Sequence, residues 1–422
     1  MIISKIRFKK RSLAISSMLL FMLLPYLQAQ IRDLNGYISH SLENSPLLKD
    51  YQNQLIINQL DSFMMRADYK PQVDFSSYNH LSPIVNGYGF DYAIYKKYHI
   101  TAVMTVRQTI IGRENMKTRL NTFSLANQSV ENEKKISVQE LKLAVSAQYI
   151  AAYGILEEIL FNEELEKLLK KEAVLLEKLT GNTVYKLTDF LNFQVTLQQQ
   201  QLLVSQQKAD YKNHIALLNF LCGIVDTSFV RLEKPDMTLQ PVLTFENTLE
   251  YNNFQIDSLK IRHNNALIDF TYRPKLDVFA DAGYRGTFFL DPYKNFGASI
   301  GLSLSIPIYD GNQRRQQQLK LKASEQMRKN YQDFSRQQYR QRLDLLYQQL
   351  SETEQLIRQA QTVVQSTQSL MDAFGKQIQT GDTSVTDYIL SIHQLMNARH
   401  VITQYANQKL QIINQINYWN HE

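Results

Sequence analysis

Residues 295–315 restrict the possible folds of this chain more than any other stretch, because a strand pattern leads there directly into a helix pattern. From 296 to 306, apolar side chains alternate with glycine and serine, which predicts a β-strand with two different faces. Pro307 ends the predicted strand because it has no N–H to donate to a neighbouring strand. Asp310-Gly311 predicts a turn, and the helical pattern that begins at Asn312 contains no proline.

The two faces of this predicted strand differ in character. One face carries Phe296 and aliphatic side chains, and the opposite face carries Gly297, Ser299, Gly301, Ser303 and Ser305. Such a contrast is typical of a strand with lipid on one side and a water-filled interior on the other. It is equally typical of a half-buried strand in a β-sandwich, so this stretch alone leaves both alternatives open.

The first 29 residues have the features of a secretory signal peptide. Five basic residues precede an apolar run at 12–27, and Ala29 is a small residue suited to cleavage. A membrane anchor is the alternative, although the apolar run is short for one. Residues 1–29 contain five basic and no acidic residues, so the formal charge of +6 falls to +1 in the mature chain. The basic charge therefore gives no support for nucleic-acid binding.

The remaining composition narrows the structural possibilities further. Cys222 is the only cysteine, so we expect no internal disulfide even in an exported chain. Beyond the signal peptide, no run of 18 consecutive apolar residues predicts a transmembrane helix. An exported chain without such a helix still crosses a membrane if its strands form a β-barrel.

The mature chain contains an internal repeat at a spacing of about 200 residues. Residues 69–75 correspond to 272–278, residues 108–112 to 306–311, and residues 181–190 to 381–388. Matches in the same order indicate that one unit of helix, strand, strand, long helix, loop and long helix is used twice. We therefore predict a first repeat at 30–222, a linker at 223–245 and a second repeat at 246–422.

The long helices carry the pattern of a coiled coil. Apolar residues recur at alternating steps of three and four, and Thr353 and Thr367 occupy two positions of the same pattern. The apolar residues are Leu343, Leu346, Leu350, Ile357, Ala360, Val364, Met371 and Phe374. A helix over 312–380 would be about 100 Å long, which suits a tube that crosses a periplasm better than a globular domain.

Four predicted strands per chain are too few to close a barrel, and open sheet edges are not tolerated in lipid. We therefore expect several copies to share one barrel, and three copies would supply about twelve strands in a cyclic arrangement. Aromatic residues near the strand ends would form a girdle at the membrane surface, or alternatively pack within their loops. They are Tyr92, Tyr95, Tyr98, Phe288, Phe289, Tyr293 and Phe296.

Residues 302–311, 381–390 and 395–399 resemble the TolC-like outer-membrane efflux protein family, and the resemblance covers nearly the whole mature chain. It implies an α+β membrane protein in which four strands per chain join a shared trimeric transmembrane β-barrel and long helices form a coiled-coil barrel. It also implies an outer-membrane location in a Gram-negative bacterium, extending into the periplasm. The implied role is the passive exit duct of a tripartite efflux or type I secretion system for small molecules or polypeptides. The implied partners are two further copies of the chain, a periplasmic adaptor, an inner-membrane pump and outer-membrane lipid.

In that family, acidic residues near the loop that corresponds to 381–384 line a periplasmic aperture. Asp387 matches one such position, and Asp189 is its equivalent in the first repeat. Leu390 stands where the family has a second acid, a departure that weakens the case for a doubled acidic ring. Three copies of Asp387 around an axis would form a constriction attractive to cations. Capping of the following helices is the alternative role for both aspartates.

The loops themselves carry the second set of candidate residues. By resemblance, Gly181, Thr183, Gly381 and Thr383 lie at helical tips that contact the periplasmic adaptor. The alternative is that the glycines only permit tight turns.

No grouping of residues predicts catalysis, a cofactor or a metal site. The sequence contains no HExxH, CxxC, P-loop or GxSxG motif. His393 and His400 lie seven residues apart on a predicted helix, and packing or surface roles are the default for both. A passive duct is therefore the main hypothesis. A periplasmic coiled-coil scaffold or adaptor that never inserts is the first alternative, and an outer-membrane hydrolase is the second.

Overall fold

A computed structural model describes residues 33–89, 98–226, 229–286 and 292–420. Within those ranges, seven α-helices and four β-strands account for most residues. The helices are α1 (Leu34–Asn44), α2 (Pro46–Asp68), α3 (Arg113–Gly181), α4 (Leu187–Cys222), α5 (Leu249–Thr271), α6 (Gln313–Thr380) and α7 (Val385–Trp419). The strands are β1 (Gln72–Leu81), β2 (Tyr98–Ile110), β3 (Lys275–Gly286) and β4 (Phe296–Ser305). The predicted signal peptide lies outside the described residues, as do Tyr92, Tyr95, Phe288 and Phe289.

The turn between β4 and α6 forms where the sequence predicts it. Gly311 and Asn312 have φ angles of 64° and 66°, the left-handed region that glycine and asparagine adopt at low cost. The carboxylate of Asp310 accepts the backbone N–H of Arg314 at 2.7 Å, which satisfies one of the free donors in the first helical turn. The predicted change from strand to helix is therefore confirmed.

The four strands form one antiparallel sheet in the order β1-β2-β3-β4. The central pair joins the two halves of the chain, because β2 and β3 are separated in sequence by α3, α4 and α5. Within this sheet, β1 and β4 are edge strands. Each edge presents backbone N–H and C=O groups that another chain can pair with.

The chain forms two compact units. The unit that contains the sheet comprises Pro46–Gln139, Pro241–Asp344 and residues from Trp419 onward, and we call it the sheet unit. The other comprises Glu140–Gln240, Leu345–Tyr418 and the chain up to Ser45, and we call it the loop unit. Each unit takes residues from both predicted repeats, and the repeat boundaries stay a prediction from the sequence.

Two apolar clusters stabilise the loop unit. The first packs α1, α3 and α4 together through residues such as Tyr37, Tyr149 and Leu218. The second packs α3, α4, α6 and α7 together through residues such as Leu169 and Ile392. The residues of the predicted coiled-coil stripe on α6 are all buried or half-buried, which confirms that helical prediction.

Helix α3 also has the composition of a membrane span. Among the described helices, it alone contains 18 residues apolar enough to cross a membrane, with a mean hydropathy of 1.2. A core helix meets the same criterion, and Val145, Tyr149 and Leu156 of α3 are buried in the first cluster.

Cys222 is buried in that cluster too, and burial raises the pKa of its thiol to about 12.

Candidate functional sites on the sheet and the loops

One face of the sheet is apolar across all four strands. Val106 of β2 pairs with Val73 of β1 and with Ala280 of β3, and Ala280 pairs in turn with Ile300 of β4. The alternation of apolar residues is therefore in register from one edge to the other. The described chain leaves this face uncovered, since Ile300 is 82% exposed and Leu302 is 71% exposed. Soluble monomers rarely expose an apolar surface that extends over a whole sheet.

The opposite face carries hydroxyl, carboxylate and cationic side chains. Thr109 donates a hydrogen bond to Asp277 at 2.6 Å. Ser299 donates to Asp281 at 2.8 Å, and Arg285 forms an ion pair with the same carboxylate at 3.1 Å. The small residues of β4 predicted to share one face, Gly297, Ser299, Gly301, Ser303 and Ser305, lie on this side by the pairing register.

An aromatic ring interrupts this polar face. The alternation in the sequence of β4 does not reveal the presence of that ring. Phe279 pairs with Gly301, and a Cβ added to Gly301 would lie 2.4 Å from the outer carbon of the ring. The ring therefore occupies the space that the missing side chain leaves. Val103 on the same face is also buried. The small residues of β4 consequently do not leave the whole face free of bulky groups.

The first loop follows the end of α3. Thr183 adopts a left-handed φ of 64°, and the N–H of Val184 donates to the carbonyl of Leu179 at 3.0 Å. This is the usual hydrogen bond of a helix that ends on a left-handed residue. Gly181 is still helical, and a side chain there would meet open space.

The second loop makes the same turn with a different residue. Gly381 has the left-handed φ of 81°, and the N–H of Asp382 donates to the carbonyl of Gln377 at 3.0 Å. Thr183 is therefore the structural counterpart of Gly381. The sequence match of Gly181 with Gly381 misplaces the turn, because the first repeat has two additional residues and they extend α3.

Asp189 and Asp387 occupy the same place in their helices. The carboxylate of Asp189 accepts the backbone N–H of Lys186 at 3.2 Å. Ser384 accepts the N–H of Asp387 at 3.1 Å and donates its hydroxyl to that carboxylate at 2.8 Å. Because α4 and α7 begin at 187 and 385, both aspartates are the third helical residue. They cap the helix starts as partners of the N-cap residues Lys186 and Ser384, three residues earlier, rather than as N-caps themselves.

Tyr185 connects the two loops of one chain. Its hydroxyl is shared between the backbone carbonyls of Ile378 at 3.0 Å and Thr383 at 3.1 Å. Burial raises the pKa of this tyrosine, with further contributions from Asp382 and Asp189. The hydroxyl therefore keeps the proton that it donates to the second loop.

The two loop glycines differ in a way that substitution would reveal. We expect Gly381→Ala to destabilise the loops by about 1–2 kcal/mol, because alanine tolerates a left-handed φ poorly. The added Cβ would also lie 2.9 Å from a methyl carbon of Val184. The matched variant Gly181→Ala is expected to be neutral or slightly stabilising, since the residue is helical and faces open space. Thermal unfolding of both variants measures this difference, and equal effects would contradict the assignment of the turn residue.

Glu172 is a buried acid that sequence reasoning did not single out. It lies on α3 between the buried residues Leu169 and Leu176, at steps of three and four, and is only 6% exposed. Its Oε2 atom has no hydrogen-bond partner among the described residues. Burial raises the pKa of this carboxyl, and the neighbouring Lys171 opposes the shift. The sequence does contain a signal for it, because Glu172 is a charged residue at a position where the helical spacing of Leu169 and Leu176 predicts a buried apolar one.

A layer of polar side chains separates the two apolar clusters along α3. The amide of Gln200 donates to both oxygen atoms of Asn162, at 3.0 and 3.1 Å. Asn162 donates to Gln207 at 3.0 Å, Gln207 donates to Glu158 at 3.2 Å, and Glu158 contacts His400 at 2.8 Å. His400 is therefore engaged by Glu158. No group of three or more metal-ligating side chains occurs in the described part of the chain.

Comparison with known proteins identifies the fold. No protein-family model and no curated protein matches the sequence. Three similar solved structures are the outer membrane protein VceC of Vibrio cholerae, the outer membrane channel MtrE of Neisseria gonorrhoeae and the outer membrane channel CmeC of Campylobacter jejuni. Their TM-scores are 0.70, 0.70 and 0.68, at sequence identities of 13%, 10% and 12%. The matches cover 92% of this chain and 96%, 88% and 86% of the other chains.

The chain therefore has the fold of the outer-membrane channel proteins. Within that class, its combination of long helices and a four-stranded antiparallel sheet is the TolC-like fold, as the sequence motifs predict.

Proposed function

We propose that this protein is a passive outer-membrane exit duct of a tripartite efflux or type I secretion system. The observation that carries the proposal is the sheet with one exposed apolar face and one mostly polar face. Lipid would cover the apolar face, and a water-filled interior would hydrate the polar one. The location in the outer membrane of a Gram-negative bacterium follows from the same proposal. The fold likeness to outer membrane channels supports it.

The sheet edges favour an assembly of several copies. One chain supplies four strands with two open edges, and unpaired backbone groups are too costly in lipid to remain open. Pairing β4 of one copy with β1 of the next closes the sheet around an axis. We propose a homotrimer, in which about twelve strands would form the shared barrel.

Exposed apolar stripes on the helices of the sheet unit support the same conclusion. Residues Ile56, Leu60 and Phe63 of α2 are about half exposed and follow helical spacing. Residues Met327, Tyr331 and Phe334 of α6 form a second exposed stripe at the same spacing. Each stripe needs a partner surface. We propose that neighbouring copies of the chain cover both.

The alternative functions fit the structure less well. A periplasmic scaffold or adaptor that never inserts would leave the apolar face of the sheet in water, at a large cost in free energy. An outer-membrane hydrolase would need a catalytic grouping. The hydrogen-bonded histidines of the loop unit, His214 and His400, contact glutamine and glutamate side chains rather than a nucleophile. We therefore propose a transport role without catalysis.

Planar lipid bilayers test the duct directly. The purified mature protein is expected to form heat-resistant trimers and to produce discrete steps of ionic current when added to the bilayer. The scaffold alternative predicts release with the soluble periplasmic fraction after osmotic shock and no current. A soluble monomer without channel activity would reject the duct.

The same recordings test Asp387 as an aperture residue. Three exposed carboxylates near the proposed axis would attract cations and narrow the passage. We expect Asp387→Ala to raise the leak conductance or to reduce cation selectivity. Asp189→Ala removes the equivalent helix-capping carboxylate of the first repeat and tests the second aperture candidate in the same way. Unchanged conductance and selectivity in Asp387→Ala would leave this residue with a capping role only.

The helical tips are proposed to contact a periplasmic adaptor, which in turn connects to an inner-membrane pump. Gly181, Thr183 and Gly381 are exposed, and Thr383 is half-buried. The neighbouring apolar residues Val184, Leu187 and Leu390 are also exposed. Crosslinking from cysteines placed at 181 and 383 would report the contact. Tip substitutions that leave crosslinking and export intact would count against it.

A further inference from the structure

Two histidines face each other across the first two strands. His80 of β1 and His99 of β2 are directly opposite in the antiparallel register. Their ring centroids are 5.3 Å apart, and the ring planes are inclined at 39°. Both residues lie on the mostly polar face of the sheet, and the ring of Tyr78 on the same face lies 5.1 Å from His80.

The environment of these rings suits a ligand that binds nitrogen. Both histidine side chains are partly exposed, whereas both ring nitrogens of His80 are inaccessible to water. The Nδ1 atom of His99 is inaccessible to water and has no hydrogen-bond partner among the described residues. A buried ring nitrogen is normally satisfied by a hydrogen bond or by a metal ion.

We propose that His80 and His99 bind a divalent transition-metal ion of the class that includes Zn²⁺, Ni²⁺ and Cu²⁺. Neutral imidazole is a preferred ligand of these ions, with a metal–nitrogen distance of about 2.0–2.1 Å for zinc. An ion at that distance from one nitrogen of each ring fits between rings separated by 5.3 Å. The sheet fixes the two Cα atoms opposite each other, so the ligands need little reorganisation. Water would complete the coordination shell, which makes the ion exchangeable.

Three other potential ligands of the described chain are engaged by different contacts or protonated. Cys222 is buried, and its raised pKa keeps the thiol protonated. His263 contacts Thr122 at 2.8 Å, and His400 contacts Glu158 at the same distance. The pair of His400 and Glu158 is the strongest competing site, because it also combines two metal ligands. It therefore supplies the control variant.

Isothermal titration of the purified full-length protein with Zn²⁺ tests the proposal. We expect one ion per chain, and we expect His80→Gln and His99→Gln each to weaken the binding at least about tenfold, the loss seen when even an outer-shell partner of a metal ligand is removed. His400→Gln is expected to bind Zn²⁺ like the unaltered protein. The measurement is independent of transport, so a negative result would leave the proposed duct untouched.

Electron paramagnetic resonance of bound Cu²⁺ gives a second readout that needs no variant. Coupling to two imidazole nitrogens is expected in the spectrum of the unaltered protein. The proposal is overturned if no Zn²⁺ binds, if binding survives in the His80→Gln/His99→Gln double variant, or if the copper spectrum lacks the coupling of two nitrogens.

Discussion

Leu302→Arg is expected to prevent most of the protein from inserting stably into lipid vesicles. Leu302 lies near the middle of β4 on the exposed apolar face of the sheet. An arginine on the lipid side of a barrel strand costs about 2–4 kcal/mol at the bilayer midplane. The cost would be repeated in every copy of the proposed trimer. Flotation of refolded protein with vesicles on a density gradient measures the inserted fraction.

Ser303→Arg is the matched control for this experiment. Ser303 is the next residue along β4, and its side chain lies on the opposite, mostly polar face beside Asp277. An arginine there would have water and a carboxylate as neighbours, so insertion should stay near that of the unaltered protein. Equal insertion of the two variants would show that the apolar face does not contact lipid, and the duct proposal would then lose its main support.

Glu172→Leu is expected to stabilise the loop unit. The carboxyl is buried in an apolar seam, and its Oε2 atom has no hydrogen-bond partner among the described residues. An unsatisfied buried polar group costs about 1–3 kcal/mol, and leucine would remove that cost while continuing the pattern of Leu169 and Leu176. Thermal unfolding monitored by circular dichroism is expected to show a higher Tm for the variant at pH 7.

The effect of pH separates ionisation from packing at this position. Burial raises the pKa of Glu172 in the folded state above its unfolded value, which is about 4.3. The folded protein therefore holds this proton more tightly, and its stability falls as the pH rises from the unfolded pKa toward the folded pKa.

Glu172→Gln keeps the shape of the side chain and removes its ionisation. Its gain in Tm over the unaltered protein should be small at pH 4 and larger at pH 8. A gain in Tm of the same size at pH 4 and pH 8 would show that ionisation of the buried carboxyl does not lower the stability of the folded protein.

The sequence was sufficient to predict the elements with strong local patterns. The alternation of β4 and the turn at Asp310-Gly311 were both confirmed, since backbone chemistry and side-chain periodicity act there over a few residues. The long uninterrupted helix α6 follows from the absence of proline and the regular coiled-coil spacing. The two-faced sheet was predictable because register preserves a period of two across neighbouring strands.

Features that depend on contacts between distant segments were not predictable from this sequence. Gly181 and Gly381 look equivalent, yet the hydrogen bonds at the helix end select Thr183 as the partner of Gly381. The position of Phe279 over Gly301 depends on the pairing of β3 with β4. The facing rings of His80 and His99 likewise depend on the register of two strands. The roles assigned to Asp189 and Asp387 at an aperture require neighbouring copies, and they stay predictions.

The shared hydrogen bond of Tyr185 has a mechanical consequence for this end of the molecule. A single phenol proton connects two segments that are almost two hundred residues apart in sequence. The bond favours joint movement of the two helical hairpins of one chain, α3–α4 and α6–α7, by about 0.5–1.5 kcal/mol. In the proposed trimer, this bond would therefore oppose the bending of one loop without the other.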